Sequence, residues 1–232
     1  MKLKKIASLA LAGIMAVSML AGCKDGGNGN SGSSSSENTN TVTGYSASVQ
    51  AKLSNTAQKK VALSDSADLN SALQAAMEYA SNSNIAYWYD NVKFPVTVQV
   101  IDNTGKTFAR ELVSATNSLI SAMDAENDAW TNVIGALKKL NPTTTNYNEK
   151  DLNATFLFVA DGGKGANAVM KEVADLMNSG IEALNEHYED TANNVRADYE
   201  YTGSVSAYTK TLTGDHDKSL TFIAVNVARE IV

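Results

Sequence analysis

The sequence predicts a single α+β domain in which a mixed or antiparallel sheet, ending in a C-terminal meander, packs against several helices. Two observations support this prediction. Between residues 64 and 188, apolar residues recur mostly at helical spacing, interrupted by stretches of strand character. After Asn194 the spacing changes from about 3.6 residues to two, which is typical of half-buried strands. Elements in this order indicate an α+β domain.

Two helices are predicted before residue 81. The Ser-Asp-Ser run at 64–66 offers N-caps for a helix that extends to about Ala80, because Leu69, Leu73, Ala76 and Met77 follow at helical spacing. A more polar helix is predicted before it, from apolar residues four apart at Val49, Leu53, Ala57 and Val61.

The middle of the chain combines one strand with two helical stripes, which are either one long helix interrupted at 125–128 or two short helices. The segment KFPVTVQVID at 93–102 alternates apolar and polar residues, which predicts a half-buried strand. The turn-forming DNTGK that follows favours a hairpin into residues 107–110, and the alternative is a helix that begins at Thr107. A helix covers about residues 112–123 in either case. A second stripe runs from Trp130 to Leu140, where Asn141-Pro142 ends it.

The last third of the chain predicts a central strand, a long helix and a meander. ATFLFVA at 154–160 is apolar on both faces, as in a strand covered on two sides. After the DGGKG turn, an amphipathic helix is marked by apolar residues from Val169 to Tyr188. Three strands are then predicted at 196–202, 205–212 and 220–227, with turns at 202–204 and 213–218.

The first 23 residues have the layout of a secretory signal peptide. Lysines at 2, 4 and 5 precede an uncharged apolar stretch at 6–19, which is shorter than the ~20 residues that cross a bilayer as a helix. Leu20-Ala21-Gly22-Cys23 follows directly and resembles the lipobox of bacterial lipoproteins. The resemblance implies that residues 1–22 are removed and that Cys23 carries a diacylglyceryl membrane anchor. The alternative is an ordinary signal peptide whose removal leaves a free thiol.

The segment after the cysteine is a predicted linker. Residues 23–44 are rich in Gly, Ser, Asn and Thr, so they bury too little apolar surface to fold. Such linkers resemble those of Gram-positive lipoproteins, which implies an outward-facing protein that is lipid-anchored in the cell membrane. Residues 45–232 have the length of one globular domain.

Composition excludes several function classes. Cys23 is the only cysteine, so its lipidation excludes disulfides, thiolate metal sites and a cysteine nucleophile from the folded part. The whole chain has a formal charge of −6, and residues 1–22 hold three lysines and no acid, which leaves −9 for the rest. This acidic balance argues against nucleic acid as a partner and against docking on anionic lipid by charge. No cofactor is implied.

The predicted ligand-binding site is the aromatic run Tyr87, Trp88 and Tyr89 within IAYWYD. Rings at the surface can stack on sugars or hold apolar ligands. Consecutive residues of a strand point to opposite faces, so at least one of the three is expected to be partly exposed. The alternative is core packing with hydrogen-bonded polar tips.

A second candidate is the glycine-rich turn Gly162, Gly163, Lys164 and Gly165. Glycines at a helix N-terminus can cradle an anion, and Lys164 would add charge. The spacing matches neither a P-loop nor a dinucleotide-binding fingerprint. A tight strand-to-helix turn is the simpler interpretation.

The remaining candidate residues point to structure rather than chemistry. Tyr199 and Tyr201 share one face of a predicted strand, where cross-strand packing is the favoured role. His187 and Asp190, three apart in the predicted long helix, share a face, whereas His216 lies in a polar turn. No metal site and no catalytic residue is predicted.

The predicted function is therefore a non-catalytic module, anchored to the membrane, that binds a ligand or a protein partner. Three alternatives remain open: a substrate-capture lipoprotein of a transporter, a cell-envelope hydrolase, and a structural or assembly subunit.

Overall fold

The computed structural model describes residues 44–80, 98–101, 110–129, 131–211 and 219–232. Within them, the helices are α1 (Tyr45–Gln50), α2 (Asn55–Lys60), α3 (Ala67–Ala76), α4 (Arg110–Ala122), α5 (Val133–Lys139) and α6 (Ala166–Glu182). A 3₁₀ turn, Met77–Tyr79, follows α3. The strands are β1 (Val61–Leu63), β2 (Gln99–Val100), β3 (Leu152–Asp161), β4 (His187–Asp190), β5 (Val195–Thr211) and β6 (Ser219–Ile231).

The six strands form one mixed sheet in the order β1-β5-β6-β3-β2, with β4 paired to the beginning of β5. β1 is parallel to β5, and the other neighbours are antiparallel. β4, β5 and β6 are consecutive in the chain and antiparallel, so they form a C-terminal meander. The predicted α+β domain with a mixed sheet is confirmed.

The sheet has a core on each face. The α6-side core lies between the sheet and α1, α2, α5 and α6, and includes Val61, Leu137, Phe156, Phe158, Val173, Met177 and Val225. The α4-side core lies under α3 and α4, and includes Leu69, Leu73, Leu112, Leu119, Leu157, Val159 and Phe222. Because alternate residues of β3 enter the two cores, β3 is a central strand covered on both sides, as predicted.

The predicted division of the meander is wrong at residues 202–204. β5 runs through these residues as one strand of 17 residues. A Cβ on Gly203 would lie 2.6 Å from the carbonyl oxygen of Asn226 and 2.8 Å from a methyl carbon of Leu63. Gly203 therefore permits a close approach inside the sheet rather than a turn. The predicted turn at 213–218 lies outside the described residues.

Three predicted helices differ from the observed elements. α6 ends at Glu182, and His187 and Tyr188, predicted near the helix end, belong to strand β4. The predicted polar helix over 49–61 is two short helices and a strand, because Ser54 caps α2 by accepting a hydrogen bond from the Ala57 N–H. The predicted stripe from Trp130 corresponds to α5, which begins at Val133, and Trp130 lies outside the described residues.

The helix from Arg110 agrees with the prediction for 112–123. The hairpin predicted to extend through residue 110 is wrong at Arg110, which already belongs to the helix. The choice between a hairpin and a helix that begins at Thr107 otherwise concerns residues 107–109, which lie outside the described residues. For the predicted strand at 93–102, the structure describes residues 98–101, of which Gln99–Val100 form β2.

Side chains complete the hydrogen bonding where neighbouring strands end. Beyond β1, Ser46 Oγ accepts from the N–H of Val205 and donates to its carbonyl. Beyond β2, the Asn127 amide does the same for Thr155, at 2.9 and 2.8 Å. These contacts satisfy backbone groups that strand pairing leaves over.

Candidate functional site

The predicted binding aromatics Tyr87, Trp88 and Tyr89 lie outside the described residues, but the residues on either side of this segment are described. On the N-terminal side, the Lys210 ammonium donates to the carbonyl of Ala80. On the C-terminal side, the N–H of Val98 donates to Glu172 Oε2 at 2.6 Å. Lys210 lies on β5 and Glu172 on α6, so Ala80 and Val98 are both held by elements of the fold.

The glycine-rich turn is built by local contacts. Asp161 Oδ1 accepts from the N–H of Gly163 at 2.7 Å. A Cβ on Gly162 would lie 2.7 Å from the backbone carbonyl carbon of Ser219, so this position requires glycine where β3 meets β6. Gly165 is the N-cap of α6, and a Cβ there would meet nothing within 4 Å.

The lysine of this turn already forms an ion pair with a carboxylate. Lys164 donates to Glu172 Oε1, and the Lys164 side chain is 17% exposed. The hydrogen bonds from Lys164 and from the Val98 N–H hold the pKa of Glu172 below its usual range. An anion at Gly162, Gly163, Lys164 and Gly165 would compete with this carboxylate, so the contacts favour the structural interpretation of the turn. Anion binding there stays a prediction.

His187 lies on β4 rather than on a helix, so the predicted shared helix face with Asp190 is wrong. Its Nδ1 is 2.7 Å from Oδ1 of Asp198, the residue opposite it on β5. The hydrogen bond with His187 lowers the pKa of Asp198, and Arg196 adds a smaller effect. The His187 side chain is 73% exposed, so this pair is accessible to solvent where β4 pairs with β5. His216 lies outside the described residues.

Tyr199 and Tyr201 share a face of β5 and pack in the α6-side core, as predicted. Their hydroxyls donate to the carbonyls of Tyr147 and Asn185, each at 2.7 Å. Burial raises the pKa of Tyr201. Tyr208, further along the same strand, packs against the α4-side core instead.

Arg229 is a buried cation that the sequence analysis did not single out. It is fully buried, and its guanidinium donates to the carbonyls of Leu140, Asn146 and Glu149 at 2.8, 2.6 and 3.3 Å. Its Cζ lies 4.7 Å from the centre of the Tyr199 ring. These contacts tie the 140–149 segment to the sheet.

The structure forms an open groove of about 540 Å³ between the 3₁₀ turn and the outer face of α4. Its lining residues are Tyr79, Ser114, Asn117, Ser118, Ser121 and Ala122. The same helix buries Leu112, Ala115 and Leu119 against the α4-side core. The 3.6-residue period therefore turns the serines and Asn117 outward.

Tyr79 stands at the edge of this groove with 54% of its surface exposed. Met77, two residues earlier in the turn, is buried in the α4-side core and anchors the turn. The Lys210 ammonium, which reaches the carbonyl of Ala80, holds the end of the turn. The ring is thus presented to solvent by a fixed backbone.

The sequence analysis missed this groove. The prediction for the 112–123 helix rested on its apolar stripe, which faces the core. The signal was present, because Ser114, Asn117, Ser118 and Ser121 recur at the spacing of one helix face and carry no charge.

A second hollow, of about 280 Å³, lies where β1 and β4 leave the edge of β5. Lys59, Lys60, Glu186 and Glu200 bring both signs of charge to it. The Lys60 ammonium donates to the carbonyls of Glu182 and Leu184 at 2.7 and 2.6 Å, at the end of α6. This lysine therefore has a structural role at a helix C-terminus.

No group of three or more His, Cys, Asp or Glu is arranged to hold a metal ion within the described ranges. None of the helices described is both long and apolar enough to span a membrane. Comparison of the chain with models of protein families, with curated proteins and with solved structures finds no match.

Proposed function

We propose that the chain is a lipid-anchored protein on the outward-facing side of the cell membrane. Its folded domain binds a ligand without changing it chemically. The observation that supports binding is the Tyr79 groove, defined by Tyr79 and the outward residues of α4. The groove is open to solvent and has a volume of about 540 Å³, which leaves room for a ligand that stays partly exposed. An aromatic ring beside several hydroxyl and amide groups combines apolar contact with orienting hydrogen bonds.

The anchoring half of the proposal is supported by Leu20-Ala21-Gly22-Cys23, placed directly after the apolar stretch. A diacylglyceryl group on Cys23 supplies the two acyl chains that stable anchoring requires. The linker of about 20 residues would have an r.m.s. span of roughly 25 Å. The domain would then reach ligands beyond the lipid headgroups while staying at the surface.

Replacing Cys23 tests the anchor. Wild-type protein should fractionate with membranes and incorporate a labelled fatty acid, whereas Cys23→Ser should lose the label and enter the medium. Ser31→Ala, in the linker, is the matched control and should behave as wild type. A Cys23→Ser protein that stays membrane-bound would contradict the anchor, whatever the domain binds.

Thermal unfolding of the full-length chain in detergent tests binding. A panel of sugars, peptides, amino acids and divalent cations is added in turn, because a ligand of the native state raises the unfolding midpoint. We expect one class to raise it in wild type and in Ile134→Ala, which alters an exposed residue of α5. Tyr79→Ala should abolish that shift. No shift with any class, or an undiminished shift in Tyr79→Ala, would contradict binding in the groove.

The same preparation separates the alternatives. A hydrolase would consume the ligand that shifts the midpoint, and an assembly subunit would self-associate in sedimentation. A capture protein of a transporter would become more compact on ligand addition in solution scattering. The proposal expects none of these three results.

A further inference from the structure

We infer that the Tyr79 groove binds a neutral carbohydrate chain, an inference that rests on the proposed binding function and names its ligand class. The groove combines one exposed aromatic ring with an uncharged polar wall, which is formed by Ser114, Asn117, Ser118 and Ser121. Each of these features restricts the chemistry of the ligand.

The lining carries no charge. The chain has 19 basic and 25 acidic residues, yet none of the six residues that line the groove is among them. Amino acids, nucleotides and acidic polymers would find no countercharge in this lining, so it gives them no advantage over an uncharged polar ligand. The ligand that suits the wall is therefore polar and uncharged.

The residues of the polar wall have a lower helix propensity than the residues usually found on an exposed helix face. Ser114, Asn117, Ser118 and Ser121 occupy the solvent side of α4, where lysine or glutamate would favour the helix. Serine and asparagine are each roughly 0.5 kcal/mol less favourable than alanine at such positions. What they supply instead is hydroxyl and amide groups that both donate and accept hydrogen bonds, which is the complement of sugar hydroxyls.

The ring supplies the second half of sugar recognition. A pyranose presents an apolar face of C–H groups, and the ring of Tyr79, 54% exposed, offers a flat apolar surface with a polar tip. The wall from Ser114 to Ser121 extends over two helical turns, or roughly 10 Å. The groove is open to solvent rather than enclosed, so it suits a segment of a chain rather than an enclosed monosaccharide.

Affinity electrophoresis of the full-length protein in mild detergent tests the inference. Native gels contain a neutral polysaccharide, either a β-glucan, a glucomannan or a dextran, or an acidic one, either polygalacturonate or hyaluronan. We expect at least one neutral polymer, and neither acidic polymer, to retard the wild type. Tyr79→Ala should weaken the retardation roughly tenfold, as for a central aromatic contact, whereas Tyr79→Phe should retain most of it.

A second variant keeps the test valid if Tyr79→Ala perturbs the turn. Asn117→Leu removes a hydrogen-bond donor and acceptor from an exposed position of the wall and should weaken binding of the neutral polymer. Ile134→Ala, on the other side of the sheet, is the control and should bind as wild type. Each variant is compared with wild type for its unfolding midpoint without ligand.

The outcomes separate this inference from the proposed function. Retardation by an acidic polymer, or a midpoint shift with a peptide, that Tyr79→Ala abolishes would overturn the neutral carbohydrate and leave binding in the groove intact. Neutral-polymer retardation that is insensitive to both groove variants would overturn the placement. No response to any polymer, combined with no midpoint shift in the wider panel, would overturn both.

Discussion

Arg229 places a cation at a fully buried position, where its guanidinium donates hydrogen bonds to carbonyl groups. The end of α5 and the following turns point three carbonyls at one guanidinium, and the Tyr199 ring covers its face. Burial lowers the pKa of Arg229, but arginine stays charged at neutral pH. The planar, forked shape of the guanidinium matters because it lets one side chain reach the carbonyls of Leu140, Asn146 and Glu149.

Replacing Arg229 should therefore destabilise the fold strongly. Arg229→Met fills the space but leaves buried carbonyls without a donor, so the free energy of unfolding should fall by about 3 kcal/mol. Arg229→Lys should also be destabilising, since an ammonium lacks the fork. Urea denaturation measures both. Arg196→Met, at a side chain that is 73% exposed, is the control and should change the free energy by under about 0.5 kcal/mol. Equal effects at the two positions would contradict this role for Arg229.

The Glu172 carboxylate makes stability depend on pH. Its pKa lies below the ordinary 4.5 in the folded chain, chiefly because of the hydrogen bond from Lys164. The stabilisation is thus complete well above pH 4.5 and is lost as pH falls through the folded-state pKa. We expect the difference in unfolding midpoint between wild type and Glu172→Gln to be largest near pH 7 and to narrow below about pH 4.5.

Glu189→Gln is the control for this prediction, because Glu189 lies exposed on the edge strand β4. Its midpoint should follow that of wild type across the same pH range. A Glu172→Gln difference that stays constant from pH 7 to pH 3 would show that the carboxylate does not titrate below its usual range.

Single residues mark the limit of prediction from this sequence. Arg229 follows an apolar run and nothing beside it signals burial, because the carbonyls it meets lie more than 75 positions away. Tyr199 and Tyr201 were predictable, since period-two spacing alone places them on one face. Local spacing thus predicts orientation, whereas the partners of a buried cation depend on the tertiary fold.

At the scale of elements, glycine has three different roles in this chain. Gly203 lies inside β5 because the backbone of β6 approaches closely, and Gly162 lies where β3 meets Ser219. Gly165 caps α6 with open space around it and a φ of −58°, which any residue can adopt. Gly203 was predicted to lie in a turn, because composition does not distinguish a turn from a close approach of two strands.

Serine at two positions of the same turn should have opposite effects. Gly165→Ser adds an N-cap side chain to α6 and should stabilise the protein by about 0.5–1 kcal/mol. Gly162→Ser forces a Cβ into the Ser219 side chain and backbone, and should destabilise it by roughly 2 kcal/mol or more. Urea denaturation of the two variants provides each with its matched control. A destabilised Gly165→Ser would indicate that this glycine is needed for something other than the turn.

Element boundaries show the same dependence on context. β3 was predictable because an apolar run without period is typical of a doubly covered strand. The end of α6 was not, since Leu184 and Tyr188 continue the helical spacing after the chain has left the helix. For the Tyr79 groove, sequence spacing predicts an uncharged helix face, but the neighbouring 3₁₀ turn comes into place only through folding.

At the scale of the molecule, one sheet is shared by two cores. Alternate side chains of β3 and β6 enter the α6-side core and the α4-side core, so neither core is complete without the sheet. The pairings of β1 with β5, of β2 with β3 and of β3 with β6, which join distant parts of the chain, add to this dependence. The two faces should therefore lose structure together.

Matched truncations on the two faces test this cooperativity. Leu119→Ala in the α4-side core and Leu137→Ala in the α6-side core each empty a fully buried site and should cost about 2–5 kcal/mol. Leu176→Ala, at a residue 39% exposed on α6, is the control and should cost under about 1 kcal/mol. Because the cores share β3, we expect each core variant to unfold in a single transition with a lowered midpoint. Each should also speed hydrogen exchange in both α4 and α6. Two separate transitions, or faster exchange confined to the truncated face, would show instead that each layer of helices opens on its own, and β3 would then stay paired with β6 while one face is exposed.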